Sequence, residues 1–352
     1  MIQVVFELRL KERYRSEKNK LLAKFSQIIS VVLQRKYDTN LPMKQITDTV
    51  LMVRPVGFRM NEETAVNNYF QEDIDLKNAE INAKAQSEFD AFVEKLRSVG
   101  IQVVVFRDDS QLDTPDSIFP NNWVSFHENG DAVIYPMFAE NRRKERREEI
   151  FTTLEEHQFD VQHIVDYTDA EQEGYFLEGT GSILLDRTNR KAYCALSPRA
   201  DEDLFIEFCE DFEYTPVIFT ANQTVNGERM PIYHTNVMMC LAEEFCVICL
   251  DAIDDRLEKK NVVQHLKADG KELVVISEAQ MHQFAGNMLQ VQGATNKYLV
   301  MSKAAHDSLE EAQIKIIESH CEILSSDLTT IETCGGGSAR CMMAEVFLPK
   351  KK

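Results

Sequence analysis

From Met43 onward one pattern recurs along the chain: two strand-like runs, an amphipathic helix, then another strand-like run. TDTVLMVRPV reads as a strand, NAEINAKAQSEFDAFVEKLRSVG as a helix stopped at Gly100, and IQVVVFRDD as the next strand. Further strands are expected at WVSFHENGDAVIY, SILLDRTNRKAYCAL, VMMCLAEEFCVICL and ELVVISE. The first two of these hold tight turns, at Glu128–Gly130 and Arg187–Asn189, and so read as hairpins. Helices are expected at NRRKERREEIFTTLEEH, ADEDLFIEFCEDF and HDSLEEAQIKIIESH. The unit appears about five times over roughly 300 residues, without clear identity between copies. That alternation sets an α/β class and leaves the arrangement of the sheets open.

Residues 1–42 differ from the rest. They carry 9 Lys/Arg against 4 Asp/Glu, a net of +5, so with −19 overall residues 43–352 hold −24. We read residues 1–42 as a basic, helix-forming extension without a catalytic role, and 43–352 as one catalytic domain. FSQIISVVL lacks the small-residue cleavage site of a signal peptide. The acidic balance argues against a nucleic-acid partner, which needs a basic face for phosphates. No apolar stretch approaches the roughly 20 residues of a membrane span. Cys246 and Cys249 form a CxxC inside the apolar run FCVICL, with no second pair to complete four ligands, so no metal site is expected. Mostly buried, reduced thiols suit a cytoplasmic protein.

Four segments combine reactive side chains with glycines or prolines. CGGGSARCMMAE places Cys341 after a backbone that can bend sharply, next to Arg340. A thiol in such surroundings can serve as a nucleophile or be only structural. In MPIYHTNVMMC, His234 and Asn236 alternate along an expected strand and face one way. YFLEGTGSILL sets Glu178 between apolar residues and glycines, where a carboxylate needs a partner or nearby N–H groups. DTPDSIFPNNWVSFH holds Asp116, Asn121, Asn122 and the only tryptophan, Trp123, as a candidate pocket wall or an ordinary turn.

Taken in order, PDSIF, EGTGS, the histidine segment and GGGSARC resemble the guanidine-modifying, or pentein, superfamily of arginine and agmatine deiminases, dimethylarginine hydrolases and amidinotransferases. With MVRPVGFRMNEETAVNNYFQ, the resemblance covers about residues 48–349 and is nearest to the arginine deiminase-related citrulline-utilisation hydrolases. It implies an α/β fold, a five-bladed propeller of ββαβ units around a central site. It implies Cys341 as nucleophile, His234 as general acid and base, and Glu178 as the residue that orients His234. It further implies Asp116, Asn122 and Asn236 at the substrate's reacting group, with Arg199 and Arg142 on its carboxylate. No cofactor or metal is required by such chemistry. The partner expected is a small amino-acid substrate, with no nucleic acid or membrane; a homo-oligomer is compatible with this reading.

The sequence departs from the arginine deiminases at two places. Asn122 and Asn236 stand where those enzymes carry aspartates that grip a guanidinium. Neutral amides suit a neutral ureido group, which makes citrulline the favoured substrate. Asp116 keeps the alternatives of arginine deiminase or dimethylarginine hydrolase open. An amidinotransferase and a non-catalytic binding protein on the same fold are the further alternatives.

Overall fold

The central strands are nearly continuous apolar runs because each lies between two neighbours and is covered on both faces. The computed structural model describes residues 43–109 and 111–351. The chain divides into two units, Met1–Met43 and Lys44–Lys352. The basic extension expected over 1–42 lies outside the described residues.

The second unit holds five three-stranded sheets of one pattern and a separate two-stranded hairpin. In chain order its strands are β1 (Thr49–Arg54), β2 (Gln102–Arg107), β3 (Val124–Phe126), β4 (Asp131–Ile134) and β5 (His163–Asp166). Then come β6 (Ile183–Asp186), β7 (Lys191–Leu196), β8 (Thr215–Thr220), β9 (Asn222–Val225) and β10 (Glu228–Pro231). The last are β11 (Met239–Leu241), β12 (Phe245–Ile248), β13 (Glu272–Val275), β14 (Leu289–Gln292), β15 (Lys297–Ser302), β16 (Glu322–Ser326) and β17 (Ala344–Glu345).

Each sheet pairs its middle strand antiparallel on one side and parallel on the other: β3-β4-β5, β6-β7-β8, β11-β12-β13 and β14-β15-β16. The fifth sheet draws its antiparallel member from the far end of the chain, with Leu51 of β1 opposite Ala344 of β17 and β1 parallel to β2. Parallel neighbours need a crossover, and a helical segment supplies it in each sheet. Between β1 and β2 it is the helix Asn78–Ser98, which buries Ile81, Ala85, Phe89, Phe92, Val93 and Leu96 at helical spacing. Gly100, at φ +85°, ends it against Ala294, as the glycine signal in the sequence predicts.

Both expected hairpins are present, as β3–β4 and β6–β7. Three expectations are corrected. VMMCLAEEFCVICL is a hairpin, β11–β12, rather than one strand. The helix expected over 141–157 is a 3-10 turn, Asn141–Glu145, followed by a helix at Glu149–Glu156. Arg143 and Arg146 there are held by Glu171 from beyond the segment, and those ion pairs override local helix preference. HDSLEEAQIKIIESH divides at Leu309 into Lys303–Ser308 and Glu311–Glu318, the second entered through a capping box of Glu310 and Gln313. Among the described residues no helix is long and apolar enough to cross a membrane.

Candidate active site

The segment just ahead of each sheet's first strand carries one or two polar side chains into a common buried region. Asn122 precedes β3, Glu178 precedes β6, His234 and Asn236 precede β11, Asn287 precedes β14 and Cys341 precedes β17. All six are buried. His234 and Asn236 do not share a strand face as expected. His234 is extended (φ −137°, ψ 142°) and caps a helical turn, Thr235–Met238, that contains Asn236. The turn is held by Thr235, whose hydroxyl donates to Ser182 O (2.6 Å) and accepts from Ala195 N (2.8 Å).

The glycines of EGTGS have a steric reason. Gly179 sits at φ +43°, and a Cβ there would lie 2.4 Å from Asn121 O. A Cβ on Gly181 would lie 2.4 Å from Asn122 Nδ2 and 2.9 Å from His234 Nδ1. Gly181→Ala is therefore expected to displace both side chains, cutting kcat/KM by about 100-fold because misplacement near 1 Å costs that much. A steady-state assay showing less than a threefold loss would rule this packing argument out.

Glu178 Oε1 accepts from Phe138 N (3.0 Å), and His234 Nε2 donates to Oε2 at 2.7 Å. Arg199 Nη1 is 3.6 Å from the same Oε2. Burial favours the neutral acid, but Arg199 and the His234 hydrogen bond outweigh it and hold the Glu178 carboxyl down at about 2. For His234, burial disfavours the imidazolium more than Glu178 favours it, and Arg199 and Arg142 add to that, leaving it at about 4. At neutral pH the pair is thus a carboxylate and a neutral imidazole. Because a carboxylate only accepts, the proton sits on Nε2 and Nδ1 is left as a base.

Cys341 Sγ accepts from Asn287 Nδ2 (3.2 Å) and Asn236 Nδ2 (3.4 Å). Among the described residues no direct hydrogen bond joins Cys341 to His234. A reacting atom needs such a separation between nucleophile and acid/base. Asn287 was not singled out in the sequence, since FAGNML offers only a glycine before an asparagine.

Asn122 Oδ1 accepts from Arg142 Nη1 (2.8 Å), and Arg142 has no acceptor to offer. Its Nδ2 is therefore the free end, buried without a partner, as is Asn236 Oδ1. Asp116 Oδ2 accepts from Asn61 (2.7 Å) and Thr64 (3.1 Å), while Oδ1 is buried without a partner. Burial pushes the Asp116 carboxyl up against the pull of Arg142, 3.9 Å away.

Arg142 and Arg199, expected on the substrate carboxylate, both hold partners within the protein. Arg142 forks onto Glu145 at 3.0 and 2.9 Å and also donates to Phe119 O (3.2 Å). Arg199 donates to Asn67 Oδ1 and to Thr64 O (2.9 Å), beneath the Tyr233 ring at 5.0 Å. Both guanidinium groups are buried. Trp123, in a segment that read as a pocket wall or an ordinary turn, packs in an apolar cluster with Leu51, Val104 and Phe126. All eight cysteines are free and buried, and among the described residues no cluster of three or more His, Cys, Asp or Glu is arranged for a metal ion.

The loop that carries Cys341 is tied to a second buried acid. Ser338 donates its hydroxyl to Glu332 Oε1 (2.6 Å), and Ser338 O accepts from Cys341 N (3.0 Å). Burial, only partly offset by Ser302 and Ser338, pushes Glu332 up to about 7. The folded chain thus holds this proton more tightly than the unfolded one. The associated stability is present below the ordinary carboxyl range and is lost as pH rises through about 7. Glu332→Gln keeps an acceptor for Ser338 and removes the titration. Denaturant unfolding should give equal stability near pH 5 and a gain of up to about 3 kcal/mol for the variant at pH 8.5. A gain of the same size at both pH values would count against the linkage.

The chain is of the guanidine-modifying superfamily, and its repeated mixed sheets bury Cys341, His234 and Glu178 on the segments ahead of their strands. Residues 54–348 match the family described as N,N dimethylarginine dimethylhydrolase, eukaryotic, and the chain belongs to that family. No curated protein matches it by sequence. Among solved structures it is similar to apo ArgZ, an arginine dihydrolase from the ornithine–ammonia cycle in cyanobacteria (17% identity, TM-score 0.66). That alignment covers 86% of this chain and 41% of ArgZ, so the chain spans less than half of that protein's length. The N-terminal domain of ArgZ, covalently bound to a reaction intermediate, is 16% identical with a TM-score of 0.63, covering 86% of this chain and 99% of that one. A dimethylarginine dimethylaminohydrolase variant, in adduct with S-methyl-L-thiocitrulline, is 13% identical with a TM-score of 0.57, covering 85% and 99%. At these identities the likeness is one of fold.

Proposed function

We propose that the chain is a cysteine-dependent hydrolase cleaving a C–N bond of a ureido or guanidino amino acid, with citrulline the favoured substrate. The observation that carries this reading is the pair of orphaned amide ends, a donor at Asn122 Nδ2 and an acceptor at Asn236 Oδ1. Buried polar atoms without partners are costly, and a bound ureido group offers what each lacks: a carbonyl to accept and an N–H to donate. Family membership and the likeness to ArgZ support a hydrolase of this class. The five like sheets, joined from β17 to β1, support the further proposal of a five-bladed ring with the site at its centre. Eight free, buried thiols suit the cytoplasm.

In this mechanism Cys341 Sγ attacks the ureido carbon as its thiol proton passes to His234 Nδ1, and the imidazolium so formed delivers that proton to the departing nitrogen. His234 then takes a proton from water as the water attacks the thiocarbamate. Whether ammonia or the ornithine nitrogen departs first, the carbamic acid released decomposes, and the products are ornithine, ammonia and carbon dioxide. Arg142 acts through Asn122, and Arg199 through Glu178, rather than on the substrate carboxylate. A second reading rests on the free Oδ1 of Asp116, an anionic acceptor suited to a guanidinium N–H. Arginine would then be the substrate.

The test is product analysis of the full chain with citrulline and with arginine, using Cys341→Ala as control. Ornithine from citrulline, absent with the variant, is the expected result. Citrulline accumulating from arginine, with added citrulline untouched, would replace the first reading with the second.

A further inference from the structure

We propose that Asn287 is a catalytic residue of this site, whose side-chain amide carries the negative charge of Cys341 Sγ. The proposal rests on Cys341 being the nucleophile. Asn287 Nδ2 lies 3.2 Å from Sγ and 3.1 Å from Asn236 O, while its Oδ1 accepts from Arg340 N at 3.1 Å. That last bond decides the orientation. A backbone N–H cannot accept, so the oxygen must face Arg340 and the NH2 must face Cys341 and Asn236. Both hydrogens of Nδ2 then have an acceptor, and one of the two acceptors is the sulfur.

Sγ needs such a donor. Cys341 is 3% exposed, so water contributes little to holding a thiolate there. His234 makes no hydrogen bond to Sγ and is neutral at physiological pH, pushed down to about 4 chiefly by burial. The neighbouring Arg340 guanidinium is turned away, onto Met343 O (2.8 Å) and Glu345 (2.8 Å). What remains against Sγ is a pair of amides, Asn287 at 3.2 Å and Asn236 at 3.4 Å. Hydrogen bonds to an ionised acceptor are about twice as strong as neutral ones, so an amide here favours the thiolate over the thiol.

The chain is shaped to place this amide. Asn287 precedes β14 as Cys341 precedes β17, so each of the five sheets supplies a group to the site. Gly286 ahead of it is packed so closely that a Cβ would lie 2.2 Å from Val237 O. That approach lets Asn287 reach the backbone of Asn236.

Alkylation by iodoacetamide reads the thiolate directly: sulfur displaces iodide, a thioether forms, and the thiol proton goes to buffer. No substrate is involved. Labelling at Cys341 in the full chain is followed by peptide mass spectrometry from pH 6 to 10. Burial pushes the other seven thiols up, which keeps them from competing. Asn287→Ala is expected to slow labelling about tenfold at pH 7, as the loss of one hydrogen bond to a charged group implies, and to converge on the wild-type rate near pH 10. An equal slowing at every pH, or none, would overturn the proposal. His234→Gln provides an independent arm, should Asn287→Ala fold poorly. Its labelling profile should stay within about twofold of wild type, as no bond to Sγ is lost. A profile displaced by a pH unit or more would mean that the imidazole holds the charge and the amide does not. A chain with the expected profiles that turns over neither citrulline nor arginine would sink the substrate assignment and leave the role of Asn287 standing.

Discussion

Glu178→Gln lowers kcat/KM by about 10⁴-fold, the scale seen when the buried carboxylate of a catalytic triad becomes its amide. The reason lies in two hydrogen bonds. Glu178 uses one oxygen to accept from Phe138 N and the other to accept from His234 Nε2. Glutamine has one oxygen. Phe138 N cannot accept, so the oxygen goes there and the amide nitrogen turns to His234. His234 Nε2 must then accept, which moves its proton to Nδ1 and removes the base. The variant also leaves Arg199 near a neutral group, where the carboxylate had been 3.6 Å away. Steady-state kinetics on folded protein, with Cys341 labelling as the check on folding, measures this. A loss below about tenfold would mean that His234 does not depend on Glu178 for its tautomer.

The fold was legible where periodicity is local. The helix Asn78–Ser98 and the hairpins β3–β4 and β6–β7 follow from apolar spacing and turn residues. The misread elements are those that distant side chains decide. Arg143 and Arg146 leave the helical pattern for Glu171. Thr235 bends the His234 segment into a turn because Ser182 and Ala195, from another sheet, bind its hydroxyl. No window of sequence contains those partners. The closure of β17 onto β1 joins residues nearly 300 positions apart and was equally out of reach of periodicity.

The site shows the same division. Cys341 and Glu178 stand in segments marked by glycines, with steric causes at Gly179 and Gly181, and His234 in one marked by Pro231. Asn287 stands in a segment with only Gly286 as a mark, and an asparagine after a glycine is ordinary turn chemistry. Its position ahead of β14 becomes informative only once the five sheets are seen to repeat. The roles of Arg142 and Arg199 came from the resemblance and from no local signal; in the structure Arg142 donates to Glu145 and Asn122, and Arg199 to Asn67 and Thr64 O.

Changing Asn122 and Asn236 together to Asp should move the preference of the site from ureido to guanidino substrates by at least about 10³-fold, taken as the ratio of the two kcat/KM values. A hydrogen bond to a charged group contributes about 1.5–3 kcal/mol, and two such gains come on one side of the ratio. The other side loses the donor at Asn122 Nδ2, since a carboxylate cannot donate to a ureido oxygen. Asp at 122 has a local counter-ion in Arg142, 2.8 Å from the present Oδ1, so that carboxylate is the more easily ionised. Asp at 236 would face Sγ, where Asn236 now donates at 3.4 Å, and adds a like charge beside the nucleophile. Total activity should therefore fall even as the ratio moves. Parallel assays with citrulline and arginine on the single and double variants separate these effects, Asn122→Asp giving the cleaner change in preference and Asn236→Asp the larger loss of rate. A ratio that stays within threefold of wild type would show that the charge of these two side chains does not select the substrate, and would pass that role to Asp116.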